Sequence, residues 1–201
     1  MPNLRRFSIF QRLAILVGIV IFGLIVLSIS SLSNQYQALK NEQYLKTKNV
    51  VETAYSTVKH YAALEQNQTL TRQQAQSQAI ASIRSLRYDD TNYFWINNYQ
   101  PAMVMHPIKP ALEGKDLTNN KDPDGTPLFV EMVSVVKQSG EGYVPYKWPK
   151  PGNDNPVDKI AFVKGFDQWQ WIIGSGVYLD TIDSAFSQQR TIIIINVVIM
   201  I

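Results

Sequence analysis

The chain has no cysteine. That excludes a disulfide framework, thiolate catalysis and Cys-ligated zinc, and it suits any redox compartment. Histidine is scarce too, with His60 and His106 alone, so no histidine-based metal centre is expected. Proline is missing from residues 3 to 100, which leaves that half free to form long helices. Charge is missing from residues 13 to 33, because Arg5, Arg6 and Arg12 are the only charged residues before position 34. The remaining basic residues match the 16 acidic ones in number. The net charge of +3 therefore belongs to the N-terminal flank. A nucleic-acid footprint needs a basic face on the folded domain, so no nucleic-acid partner is expected.

What is present is equally uneven. Leu13–Leu32 is an uncharged apolar run, long enough at ~1.5 Å per residue to cross a hydrocarbon core of about 30 Å. The three preceding arginines place residues 1–12 in the cytoplasm by the positive-inside rule, with 13–33 a membrane helix. A cleaved signal peptide is the rival, but its apolar core is usually about 7–15 residues and no Ala-x-Ala-like site is present. At the far end, Thr191–Ile201 (TIIIINVVIMI) is apolar. It reads as the start of a truncated second membrane helix over 190–201, or alternatively as a core strand. Between these ends, 34–189 is expected to be one extracytoplasmic domain.

From Asn34 to about Leu86 the pattern is helical. Val51, Ala54, Tyr55, Val58, Tyr61 and Ala62 recur at steps of three and four, a stripe for the domain or for a second subunit. Gln66–Gln68 is expected to break the run, and Thr69 or Thr71 to cap a second helix carrying Ala75, Ala79, Ile83 and Leu86. From Asn92 the texture changes. Tyr93–Ile96 favours a strand, Asn97–Pro101 a turn, and Met103–His106 a second strand, together a hairpin. Asp122–Gly125 is a turn signal, not a calcium loop, since the downstream glutamate spacing is absent. Phe129, Met132, Val133 and Val136 have helical spacing, with Gly140 as the stop. Strands are then expected at 143–148, 159–166 and 169–178, and a closing helix at 180–189. Long helices, two strands, a helix, three strands and a helix make an α+β domain with an antiparallel sheet.

Five stretches carry a resemblance: RYDDTNYFWINN (87–98), MVMHPIKPALEGKDL (103–117), DPDGTPLFVEMV (122–133), GEGYVPYKWPKPG (140–152) and WQWIIGSGVYLD (169–180). In this order they resemble the extracytoplasmic Cache sensor of bacterial chemotaxis receptors, in its single-module form. The resemblance implies a PAS-like five-stranded antiparallel sheet behind a long N-terminal helix, flanked by transmembrane helices. The reading is a receptor of the bacterial inner membrane with its sensor in the periplasm and a methyl-accepting chemotaxis module beyond the chain. A histidine kinase, a cyclic-dinucleotide enzyme or a membrane-anchored protein-interaction module are the alternatives, and the 51–62 stripe makes a homodimer an expected partner. The resemblance also implies a pocket for a short carboxylate such as acetate, propionate or pyruvate, with no cofactor and no catalysis. The chain departs from the pattern at Asp89–Asn92, Asn98, Phe162 and Thr181, where a Gly-rich turn, Asp, Tyr and Asp are frequent.

A buried carboxylate needs a cation or several directed donors. Arg87, with its fork of donors, matches the Arg-Tyr step of the family; the other reading is a helix-end arginine paired with Asp89 or Asp90. Strand parity groups Tyr93 with Trp95, Tyr146 with Trp148, and Lys159 with Ala161 and Val163. Lys164 falls on the opposite face from Lys159, and only one of the two is expected in the pocket. Lys159 matches a recurring family lysine. His106 is either a donor to ligand or a structural histidine bonding a loop carbonyl. The expected ligand set is Arg87, Tyr93, Trp95, His106, Tyr146, Trp148 and Lys159, with no metal and no catalytic residue, since no nucleophile elbow is present.

Overall fold

The computed structural model describes residues 8–89, 91–184, 186–187 and 191. Residues 42–180 form one compact unit, and the described parts of 1–41 and 181–201 another. In the latter, the first part of helix α1 (Ile9–Gln66) is apolar all round, with an 18-residue window of mean hydropathy 2.9 and none of it buried. A helix with no polar face and no protein cover is suited to lipid. Tyr36 donates to Asp183 at 2.9 Å and meets Phe186 edge-on at 5.0 Å. Residues 179–184 are helical, where the closing helix was expected. Residues 1–7 and, apart from Thr191, the expected second membrane segment lie outside the described residues.

In the larger unit, α1 ends at Gln66, and Gln68 turns the chain with φ 59°. Helix α2 (Arg72–Arg84) starts from Thr71. The Thr71 side chain accepts from Gln74 N, and Gln74 Oε1 accepts from Thr71 N at 2.9 Å. This reciprocal cap satisfies two orphan amides. Thr71→Ala is expected to cost about 1 kcal/mol in urea unfolding; a change within error of zero would show that the cap contributes nothing.

Six strands form one sheet: β1 (Arg87–Tyr88), β2 (Asn92–Asn98), β3 (Met103–Met105), β4 (Glu141–Pro149), β5 (Pro156–Phe166) and β6 (Trp171–Tyr178). The order is β1-β2-β6-β5-β4, with β3 also on β2 and every pairing antiparallel. The antiparallel α+β expectation is met. The extra strand is β1, two residues folded back on β2 by a turn at Asp89, whose φ is 47°. β2 and β3 form the expected hairpin. Asn98 Oδ1 accepts from the amides of Gln100 (3.0 Å) and Ala102 (2.9 Å), closing the hairpin turn. Trp169, expected at the start of the last strand, sits instead in a 3-10 turn, Asp167–Trp169, that ends on Gln170 with φ 54°.

The sheet separates two cores. On one face Val51, Ala54, Val58 and Ala62 of α1 and Ala75, Ala79 and Ile83 of α2 pack on Phe94, Ile96, Phe162 and Ile173. The α1 stripe is thus covered by its own domain and is not open to a second subunit. On this face Lys164 pairs with Glu52 (2.6 Å) and Glu141 (2.8 Å). Hydrogen bonds from Lys164 and then Lys48 hold the Glu141 carboxyl down to about 2. On the other face, helix α3 (Leu128–Ser139) buries Phe129, Met132, Val133 and Val136 against Trp95, Val144, Ala161 and Val163. Gly140 ends α3 with φ 77°, a conformation that favours glycine. The loop before α3 is tied to β4 by Asp122. Its carboxylate accepts from the amides of Asp124 (3.0 Å), Thr126 (2.8 Å) and Lys147 (2.8 Å). Burial alone would raise its pKa, but these donors outweigh that and lower it. β4 is an edge strand and carries Pro145 and Pro149.

Candidate functional site

The α3 face of the sheet carries a polar cluster at one end, centred on Lys159. This lysine is 1% exposed. Register places it opposite Tyr146 on β4 and Tyr178 on β6. Its Nζ lies 3.3 Å from the Tyr93 hydroxyl and 3.4 Å from that of Tyr178. The same nitrogen stands 4.4 Å from the Tyr93 ring centre, 4.6 Å from Tyr178 and 5.5 Å from Trp95. Three aromatic faces therefore surround one amine, which attracts its charged form. No acidic side chain pairs with it among the described residues. Burial dominates, and pushes the Lys159 pKa down to about 7.

The neighbours are fixed by bonds of their own. Tyr178 donates to Pro149 O at 3.0 Å, and Trp95 Nε1 to Asn97 Oδ1 at 3.2 Å. Trp95 thus offers an apolar ring and no spare donor. Burial raises the pKa of Tyr93, Tyr146 and Tyr178, so all three stay neutral. Tyr146 and Trp148 meet edge-on at 6.2 Å, and Lys109 Nζ lies 4.9 Å over the Trp148 ring.

His106 is 2% exposed, between Tyr93 (5.1 Å) and Trp148 (6.0 Å). Its Nδ1 accepts from the amides of Ile108 (3.3 Å) and Lys109 (2.9 Å). The loop bond expected for a structural histidine is present, but to amides, not to a carbonyl. An Nδ1 that accepts leaves the proton on Nε2. Burial first, then the charges of Lys159 and Lys109, lower its pKa to about 3, so the ring stays neutral. Its own amide donates to Glu113 (2.9 Å), which Arg84 of α2 grips at 2.7 and 2.9 Å.

Of the seven expected site residues, the structure gathers Tyr93, Trp95, His106, Tyr146, Trp148 and Lys159 on one face. Arg87 stands opposite Tyr93 in register, but at the rim and exposed, with Nη1 on the carbonyls of Arg84 (2.9 Å) and Leu86 (2.7 Å). Of its alternative partners, Asp89 is held by Lys46 instead, and Asp90 lies outside the described residues. Lys164 lies on the far face, as parity required. Tyr178, Gly174 and Gly176 were not anticipated. A Cβ on Gly174 would fall 2.4 Å from Trp95 Cζ2, and one on Gly176 2.8 Å from Lys159 Cε. Two glycines at alternate positions of a strand were the available signal, since they mark where another group comes close.

Two cavities open beside the cluster. One of about 270 Å³ is lined by Lys159, Tyr146, Asp122, Thr126, Lys147 and Leu179. Another of about 450 Å³ runs along Trp148, Lys109, Leu112 and Asn120. Asp124 and Asp158, at the first mouth, are paired by Lys147 at 2.8 and 4.0 Å. Among the described residues no group of three or more acidic or histidine side chains could hold a metal ion.

A helix-backed antiparallel sheet in this strand order is a sensor fold of the PAS-like class. More particularly, the dCache_2 family model, described as a Cache domain, matches residues 25–195, and the chain belongs to that family. It is 42% identical over 189 residues, 94% of its length, to the methyl-accepting chemotaxis protein McpP of Pseudomonas putida, of which it spans 35%. It is 30% identical over 155 residues to the sensor histidine kinase MctS of Rhizobium johnstonii, covering 77% of this chain and 32% of that one. The chain thus spans about a third of the length of these curated relatives. A solved structure titled "Structural basis for carboxylic acid recognition by a Cache chemosensory domain" is 48% identical, with a TM-score of 0.68, over 71% of this chain and 97% of that one.

Proposed function

We propose that residues 34–189 are the periplasmic sensor region of a bacterial inner-membrane receptor and bind a short organic acid of the acetate, propionate or pyruvate class. The observation that carries this is Lys159, a buried amine with aromatic cover and no acidic partner among the described residues. Such a site is incomplete without an anion. Around it the Tyr93 and Tyr178 hydroxyls and the His106 Nε2 supply polar groups, and Trp95, Tyr146 and Trp148 supply an apolar wall for a short tail. The carboxylic acid recognised by the 48% identical neighbour supports the same ligand chemistry. Tyr178 is followed directly by the helical residues 179–184. A ligand that draws Lys159 and Tyr178 together therefore acts at the start of the closing helix, and shifts of ~1–2 Å are enough for such elements.

The arginines at 5, 6 and 12 and the apolar part of α1 support anchoring with residues 1–12 inside and the domain outside. A homodimer, if formed through α1, uses faces other than its buried stripe. The output we favour is a methyl-accepting chemotaxis module, on the likeness to McpP. A histidine kinase is the second reading, on the likeness to MctS.

The test is a thermal-unfolding titration of the 201-residue chain in lipid nanodiscs with acetate, propionate, pyruvate and a panel of amino acids. A bound acid at 100 times its Kd is expected to stabilise the domain by about 2.7 kcal/mol. If no carboxylate raises the unfolding temperature, the organic-acid reading fails.

A further inference from the structure

Lys159 raises a question that ligand chemistry alone does not answer: in what protonation state does the empty site wait? Every element packed around the amine contributes something, and among the described residues none contributes a facing anion. β2 offers Tyr93 and Trp95, β4 offers Tyr146, and β6 offers Tyr178. The segment after β3 brings His106 and Lys109, one neutral and one cationic. β1 brings Arg87, also cationic, opposite Tyr93. The acidic groups of the 270 Å³ cavity that Lys159 lines are engaged, Asp122 by three amides and Asp124 and Asp158 by Lys147, and Asp154 lines the other cavity, which Lys159 does not line. Asp180, beyond the end of β6, is paired with Lys150 at 2.9 Å. His106 cannot serve as the titrating group, because its Nδ1 is committed to two amides.

We propose that the site takes its carboxylate together with a proton, the ammonium of Lys159 being completed as the anion arrives, so that the protein responds to a short organic acid only where the medium is neutral or acidic. The inference rests on the carboxylate reading of the site and concerns its regulation. The balance is simple. An amine, a proton from water and a carboxylate become an ammonium–carboxylate pair, with no bond to carbon made or broken. Burial lowers the pKa of the empty-site amine to about 7, and an anion at hydrogen-bond distance raises it again. Affinity is then nearly constant below pH 7 and falls as pH rises through the empty-site pKa. Between pH 7 and 9 the loss is roughly fifty-fold, a factor set by the fraction of empty sites still protonated.

The experiment is calorimetric titration of the 201-residue chain in nanodiscs with propionate. It is run from pH 6 to 9 in two buffers of different ionisation enthalpy, which counts protons taken up on binding. The expected uptake is near zero at pH 6 and near one at pH 9, with Kd rising roughly fifty-fold from pH 7 to 9. Lys159→Arg keeps a cation that does not titrate in this range. If that variant folds and binds, its Kd is expected to be flat with pH; a Kd as steep as the parent's overturns the proposal. So does zero proton uptake by the parent with unchanged affinity from pH 6 to 9, while leaving the carboxylate reading in place. No heat with propionate, acetate or pyruvate at any pH, in a chain that unfolds cooperatively, overturns both.

Discussion

Lys159→Met is expected to lose at least thirty-fold in affinity for propionate while making the empty domain more stable. The two effects have one cause. Methionine keeps the length and the apolar stem of lysine and fills the same aromatic enclosure without an amine that burial disfavours as an ion. Replacing a buried charge by an apolar side chain of similar volume is often stabilising by about 1–4 kcal/mol. Removing the partner of a buried carboxylate costs about 2–5 kcal/mol of binding, which is where the thirty-fold minimum comes from. The pH dependence separates this from ordinary damage. The folded pKa of Lys159, about 7, lies below the ordinary lysine value of 10.5. Between the two the unfolded chain binds more protons, so the parent's stability rises with pH across that window. Below pH 7 both states carry the proton and the penalty is fully present. From pH 7 to 9 the parent is expected to gain about 2 kcal/mol in urea unfolding, and Lys159→Met to show no such slope. A variant that binds propionate normally, or is destabilised with the parent's slope intact, would remove Lys159 from the site.

The second large effect is steric. Gly174→Ala places a methyl group 2.4 Å from Cζ2 and 2.6 Å from Cε2 of Trp95. The indole has little room to retreat, being 2% exposed and bonded through Nε1 to Asn97. Overpacking of this kind costs about 1–3 kcal/mol. Trp95→Phe is costly alone because it leaves a void, yet it removes the ring atoms that the new methyl meets. The double variant should therefore be more stable than the sum of the two singles by more than about 1 kcal/mol, as residues in contact usually are. Calorimetric unfolding of the four proteins of the cycle gives that coupling directly. Additive effects would mean that Gly174 and Trp95 do not share the space described.

How far the site was legible depended on the range of the signal. Alternation of side chains across a strand is local, so the facing of Tyr93 with Trp95, and of Lys159 against Lys164, could be worked out from spacing alone. The same holds for α3, where Phe129, Met132, Val133 and Val136 repeat at helical steps and are all buried. β1 was missed because two residues carry no period. Tyr178 was missed for a different reason. It meets Lys159 only because β6, last in sequence, pairs with β5 on one side and β2 on the other, and strand order is not written in any single stretch. Arg87 shows where a motif stops being informative. A motif pointed to it as the carboxylate fork, but whether an arginine meets a ligand or the carbonyls ending a helix depends on where α2 stops. The α1 stripe was read correctly as an apolar face, and only the sheet shows that it is the domain's own core.

One detail of β4 bears on how the protein behaves among its own copies. As an edge strand it would normally show a row of outward amides to any passing chain. The outward position at Lys147 is occupied by Asp122, and two residues to either side stand Pro145 and Pro149, which have no amide to give. Three successive outward donors are therefore withheld along the half of the strand nearest the pocket. A neighbouring chain therefore meets no ladder of amides there on which to add itself as an extra strand.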